Sequence, residues 1–104
     1  MIADSQNGAL RLVDVAGRIS AFASGLGAPV DVVGAPGDVL FVADAQRGVL
    51  RVGAEGGAPT VVAYLPGAIG IAVDARKNAY VSQLDARRVV RVTPAGRITA
   101  AVDR

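Results

Sequence analysis

The feature that most constrains this chain is an internal repeat with a period of about 40 residues. The segment Met1-Ile2-Ala3-Asp4 returns as Phe41-Val42-Ala43-Asp44 and, in weakened form, as Tyr80-Val81-Ser82-Gln83. Periods of about 20 to 50 residues are typical of solenoids, propellers and other arrays, in which each repeat is one supersecondary unit. We therefore expect a series of similar units and not one irregular domain.

Two further landmarks follow the first one in the same order. Leu10-Arg11-Leu12 is matched by Leu50-Arg51-Val52 and by Val90-Arg91-Val92, and segment 16–21 is nearly reproduced by segment 95–100. This alignment predicts that Arg11, Arg51 and Arg91 are equivalent. The units run over residues 1–25, 26–64 and 65–104, and the first of them lacks its opening strand.

Each unit is predicted to consist of short antiparallel strands. Runs rich in Val and Ile are separated by Gly, Pro, Asn and Asp at intervals of about ten residues, which is typical of strands joined by tight turns. No segment of about ten residues keeps a helical apolar stripe free of Gly and Pro. The predicted strands are 2–3, 10–13 and 19–23 in the first unit, 30–33, 39–43, 49–52 and 60–63 in the second, and 69–73, 79–82, 89–92 and 98–102 in the third.

The third unit carries the clearest motifs. Gly70-Ile71-Ala72-Val73-Asp74, Asn78-Ala79-Tyr80-Val81 and Arg88-Val89-Val90 occur there in that order. In these motifs the chain resembles the NHL repeat family of β-propellers and is similar to the gluconolactonase-like six-bladed propellers. The resemblance implies an all-β fold, a partial β-propeller of about two and three-quarter four-stranded antiparallel blades. It also implies open sheet edges that further blades or self-association would cover.

The units depart from the family pattern where the second and third strands of a blade are joined. Gly8 and Gly48 stand where the family carries Arg, and Gln83 stands where it carries Asp. Two interpretations are open: the loops diverge because they contact partners, or they drift because they are exposed to solvent. Under both, the loops are the variable part of a repeated scaffold.

Composition excludes several classes of chemistry. The chain has no Cys and no His, so thiolate nucleophiles, sulfur ligands and imidazole bases are absent. A formal net charge of +2 and only 4% aromatic residues do not favour nucleic-acid binding. Asp4 precedes any apolar segment of signal-peptide type, and no run approaches the length of a membrane span. We expect no cofactor, no secretory signal and no membrane span in this chain.

The repeated carboxylates and arginines each allow two interpretations. Asp4 and Asp44 lie at strand ends before turns, so they are either carboxylates that converge on a cation or acceptors for backbone N–H groups of the turn, and turn chemistry is the expectation. The repeated arginines are either a phosphate-binding ladder or side chains that pair with Asp in the same or the next unit, and pairing is the expectation. Neither set predicts a catalytic or metal site.

Two functions remain as hypotheses. The first is a non-enzymatic binding or scaffold module that recognises a protein, peptide or glycan through its loops. The alternative is a fragment of a six-bladed propeller enzyme, lactonase-like or streptogramin-lyase-like, whose active residues lie on blades outside this chain. For the first, binding is predicted on the loops that join strands two and three of each unit, because variable side chains on a constant scaffold are typical of recognition. The predicted residues are Gln6, Asn7, Gln46, Arg47, Asp85, Arg87 and Arg88.

Overall fold

The structure of the chain, a computed structural model, describes residues 1–35, 37, 39–53, 55–83 and 87–102. These residues form eleven strands and a single 3-10 turn at Ser5–Asn7, and they contain no α-helix. The strands are β1 (Ile2–Asp4), β2 (Ala9–Val13), β3 (Ile19–Ala23), β4 (Pro29–Ala35), β5 (Val39–Asp44), β6 (Gly48–Gly53), β7 (Gly56–Tyr64), β8 (Ala68–Val73), β9 (Ala79–Gln83), β10 (Arg88–Val92) and β11 (Ile98–Val102).

The strands form three antiparallel sheets, each a meander in chain order. The first sheet contains β1 to β3, the second sheet β4 to β7 and the third sheet β8 to β11. The predicted all-β class, the antiparallel pairing and the strand numbers of three, four and four are confirmed. Most strand ends agree with the prediction to within one or two residues. The main difference is β7, which begins at Gly56 because it pairs back to Gly53 across its turn.

Two apolar clusters hold the three sheets together. The second sheet packs on the first through Val42, Leu50 and Val52, and on the third through Ala43, Val49 and Ala63. These two sets alternate along its strands because successive side chains point to opposite faces of a sheet. The partners on the first side are Leu10, Ala23 and Leu26, and those on the third side are Ala68, Ala79, Val81, Val90 and Val92.

The pairing register corrects one part of the repeat alignment. Arg11 lies opposite Ile2, as Leu50 lies opposite Val42, whereas Arg51 lies opposite Phe41. Arg11 is therefore equivalent to Leu50, and the predicted equivalence of Arg11 with Arg51 is wrong. The cause is loop length, since residues 5–8 join β1 to β2 while only residues 45–47 join β5 to β6. The longer loop shifts β2 by one position relative to its sequence motif.

Glycines let the backbone of one sheet approach the next. A Cβ at Gly56 would collide with the carbonyl oxygen of Phe22, and one at Gly96 would lie 2.6 Å from that of Val62. Gly17 holds the corresponding turn position of the first sheet, and nothing lies within 4 Å of its Cβ position. All three have positive φ, a backbone conformation that favours glycine even where no neighbour is close. The close approach is thus a property of the junctions between sheets.

The hairpin turns at one edge of the sheets have similar hydrogen bonds, in which the side chain of the first turn residue accepts from backbone N–H groups of the same turn. In turn 74–78 the Asp74 Oδ1 accepts bonds from the N–H groups of Arg76 and Asn78, both at 2.9 Å. Asp14 makes the matching bonds in turn 14–18, and Thr93 Oγ1 accepts one in turn 93–97. These three turns are called the turn edge below. The opposite edge carries the loops of the predicted site.

Candidate functional site

The loops of the predicted site lie along one edge of the sheets and are hydrogen-bonded to one another. The Leu26 N–H donates to the Gly8 carbonyl at 3.0 Å, the Ala45 N–H to the Ala28 carbonyl at 2.9 Å, and the Gly67 N–H to the Ala45 carbonyl at 2.8 Å. Each bond joins a loop within a sheet to a connection between sheets. Loops 5–8 and 45–47, connections 24–28 and 65–67, and Arg87 with Arg88 are called the loop edge below.

Asp44 is the centre of the junction between the first and second sheets at this edge. Its carboxylate is fully buried, yet it accepts four backbone hydrogen bonds. They come from Gly27 and Ala28, in the connection before β4, and from Gln46 and Arg47, in the loop after β5, at 2.8 to 3.0 Å. A buried carboxylate is tolerated when its oxygens are satisfied in this way. The predicted role of Asp44 as a turn acceptor is confirmed.

Gln83 occupies the equivalent position in the third sheet, but its side chain donates a hydrogen bond where that of Asp44 accepts. Ala68 pairs with Gln83 as Pro29 pairs with Asp44, so Pro66 corresponds to Gly27. Pro66 has no N–H to donate. Gln83 Nε2 instead donates to the Pro66 carbonyl at 3.2 Å. The replacement of Asp by Gln thus has a structural reason, which sequence reasoning missed although the proline was a visible signal.

Asp4 is the half-buried counterpart of Asp44 in the first sheet. Its Oδ2 accepts bonds from Asn7 Nδ2 at 2.9 Å and from Arg11 Nε at 3.0 Å. The Asn7 hydrogen bond, followed by that of Arg11, lowers the pKa of Asp4 below its ordinary value. Pairing of Arg11 with an Asp of its own unit is therefore confirmed, whereas Arg51 and Arg91 form no ion pair with a carboxylate of the described residues.

The predicted site residues fall into three groups on the loop edge. Gln6, Gln46 and Arg87 are exposed, Asn7 is exposed but bonded to Asp4, and Arg47 and Arg88 are exposed and bonded to neighbouring loops or strands. Asp85 lies outside the described residues. The structure thus brings six of the seven predicted residues to one edge, spread over all three sheets.

Two of the arginines are anchored and one is held in an unusual backbone conformation. Arg47 Nη1 donates to the Gly25 carbonyl at 2.8 Å, and Arg88 Nε donates to Gln83 Oε1 at 3.2 Å. Arg87 has φ of 51°, in the position where the first sheet has Gly8. A residue with a Cβ is disfavoured in this left-handed region by about 1 to 2 kcal/mol. The edge therefore presents guanidinium groups from fixed backbone positions.

The described charges of the loop edge are predominantly positive. Its exposed charged side chains are Arg47, Arg87 and Arg88. Of the carboxylates next to it, Asp44 is buried and Asp4 is paired with Arg11. Among the described residues there is no group of three or more His, Cys, Asp or Glu side chains placed to hold a metal ion. The part of the chain that the structure describes also contains no helix long and apolar enough to cross a membrane.

Comparisons with models of protein families, with curated proteins and with solved structures found no match for the chain. The geometry and the charge of the loop edge are therefore the features that indicate a function.

Proposed function

We propose that this chain is a segment of an NHL-like β-propeller and that its loop edge binds an acidic segment of a partner protein. Face-to-face packing of consecutive antiparallel meanders supports the propeller assignment, because blades of a propeller pack on their neighbours in this order. The repeat of about 40 residues with its Gly-Ile-Ala-Val-Asp motif supports the NHL-like assignment.

The observation that carries the binding proposal is the set of three exposed arginines on a hydrogen-bonded loop edge. Arg guanidinium groups recognise carboxylates in bidentate geometry, and anchored side chains lose less conformational entropy on binding than free ones. Arg47 is held by Gly25 and Arg88 by Gln83. A peptide rich in Asp or Glu that crosses the edge from the second sheet to the third would meet these arginines in turn.

The test compares two variants with the same loss of charge. One replaces Arg47, Arg87 and Arg88 with Ala; the other replaces Arg18, Arg76 and Arg97 on the turn edge. Both sets are exposed. The probe is an array of Asp- and Glu-rich peptides, with heparin as an acidic glycan and neutral peptides as blanks. We expect the loop-edge variant to bind the acidic peptides at least about tenfold more weakly and the turn-edge variant to bind like the wild type.

Equal weakening in both variants would mean that general charge attraction, and not the loop edge, holds the peptides. Retention of heparin in preference to every peptide would assign the edge to glycans instead. Melting temperatures serve as the folding control, since surface substitutions usually change stability by about 0.5 kcal/mol or less.

A further inference from the structure

The first and third sheets each have one face that no other described part of the chain covers. On the first sheet this face carries Ile2, Val13 and Ile19, whose exposed fractions are 46%, 40% and 62%. Ile2 and Ile19 line an open groove of about 400 Å³ together with Ala3, Asp4 and Arg11. Apolar side chains concentrated on one face mark a surface that interacts with another molecule or segment.

Equivalent positions show what the groove of the first sheet would pack against. Ile2 and Val13 correspond in register to Val81 and Val92 of the third sheet. Val81 and Val92 are buried against the second sheet. The free face of the first sheet therefore has the pattern of a face that packs on a preceding sheet.

The free face of the third sheet has the complementary pattern. Ser82 and Val89 correspond to Ala43 and Val49 of the second sheet. Ala43 and Val49 are completely buried by the third sheet, whereas Ser82 and Val89 are half-buried. This face therefore resembles one that a following sheet covers.

A glycine supports the same match. Gly56 and Gly96 each lie against a carbonyl group of the preceding sheet, from Phe22 and Val62. The matching carbonyl on the third sheet belongs to residue 101, which lies at the same strand irregularity. Gly17, with open space around its Cβ position, is the turn residue that this carbonyl would approach.

Charge also favours contact between these two faces. At the existing junction Arg51 and Lys77, two cations, line a cavity of about 50 Å³ together with Pro94. The third-sheet equivalent of Arg51 is Arg91. On the first sheet the positions of Thr93 and Pro94 are held by Asp14 and Val15, and the three-stranded sheet has no equivalent of the hairpin that bears Lys77. Arg91 would thus approach the ion pair of Asp14 with Arg18, whose net charge is zero, instead of a second cation.

We propose that the free face of the third sheet binds, head to tail, to the free face of the first sheet in a second copy of this chain. The contact repeats the two junctions inside the chain and is independent of the loop edge. The contact is heterologous, because it joins two different faces. Two copies form a closed ring of six sheets if the rotation from sheet to sheet brings the last sheet back to the first, and otherwise successive copies form a filament.

The experiment is sedimentation of the whole chain and of single variants. Val13→Asp places a charge on the face of the first sheet, and Val89→Asp places one on the face of the third. Val30→Asp is the matched control, because Val30 is 46% exposed on β4 and belongs to neither face. We expect the wild type and V30D to associate, and each face variant alone to associate at least about tenfold more weakly.

Mixing the two face variants provides the decisive measurement. V13D keeps an intact third sheet and V89D an intact first sheet, so the mixture forms a 1:1 complex that grows no further. Association of V89D alone, at the wild-type strength, would instead mean that two first sheets pair with each other and would overturn the proposal. A monomeric wild type, or a mixture that stays monomeric while circular dichroism shows folded strands, would overturn it as well.

Discussion

The same repeat positions are buried in the second sheet and exposed in the first. Val42 and Val52 of the second sheet are fully buried, whereas their equivalents Ile2 and Val13 are 46% and 40% exposed. Between them lies Leu50 in the second sheet and Arg11 in the first. The residue pattern specifies which face is apolar, but the neighbouring sheet determines whether that face is a core. Substitutions at matched positions, compared at one fixed protein concentration, measure this difference.

The largest effect is expected at the position of Leu50. Leu50→Ala removes a fully buried side chain between the first and second sheets and should cost about 2 to 5 kcal/mol in the free energy of unfolding. Arg11→Ala at the equivalent position should cost far less, because Arg11 lies on a free face. Urea denaturation of both variants checks the contrast. Equal losses would show that the first sheet is also covered on that face.

The second comparison is between the two aspartates. Asp44→Ala leaves four N–H groups at the junction without their buried acceptor and should cost about 3 kcal/mol or more. Asp4→Ala removes an acceptor whose partners, Asn7 and Arg11, remain accessible to water, so its effect should be much smaller. Thermal unfolding of the two variants gives the answer. A mild Asp44→Ala variant would mean that water replaces the carboxylate at the junction.

The glycine comparison isolates the close contact from the backbone conformation. Gly17 and Gly96 have similar positive φ, but Gly17 has open space around its Cβ position. Gly17→Ala should therefore cost about 1 kcal/mol, which is the penalty of the backbone conformation alone. Gly96→Ala should cost about 1 to 2 kcal/mol more, since its Cβ would displace the Val62 carbonyl. Chemical denaturation of both variants measures the excess. Identical losses would remove the evidence for backbone packing between sheets.

The smallest effect concerns the pH dependence of the first sheet. The pKa of Asp4 is lowered by Asn7 and Arg11, so its contribution to stability is present above its ordinary pKa and is lost as the pH falls through the folded-state pKa. The wild type should therefore lose more stability than Asp4→Asn between about pH 5 and pH 2. Parallel pH titrations of the melting temperature check this. A larger acid loss in Asp4→Asn would contradict the assigned direction.

Sequence reasoning predicted the fold class and nearly all strands because Gly- and Pro-marked turns and Val-rich runs are local signals. It placed Arg11 incorrectly because the register depends on the length of the preceding loop, which the motif Leu10-Arg11-Leu12 does not report. It also missed the link from Asp31 Oδ2 to the Ile71 N–H at 3.1 Å, which joins two sheets across 40 positions of the chain. Contacts between units depend on their stacking and have no local signature.

For the loop edge, the sequence predicted which loops carry the candidate binding residues but not which side chains are anchored. Arg47 was predicted as an exposed binding residue, and its bond to Gly25 depends on how the connection after β3 folds back over loop 45–47. The exchange of Asp44 for Gln83 was interpreted as variation in a loop. Its reason lies in Pro66, a residue far along the chain that only the folded backbone brings to Gln83.

The pairing of Gln83 with Pro66 limits how freely the units can be transplanted. An array that is lengthened by copying residues 26–64 must keep each connection together with the residue at its strand end. Gly27 in the connection requires an acceptor, Asp44, whereas Pro66 requires a donor, Gln83. A hybrid that combines Pro66 with an aspartate would bring a carboxylate against a carbonyl oxygen, with no proton between them. The repeats therefore use two different residue pairs at their junctions, Gly with Asp and Pro with Gln, and a chimera that folds must not mix them.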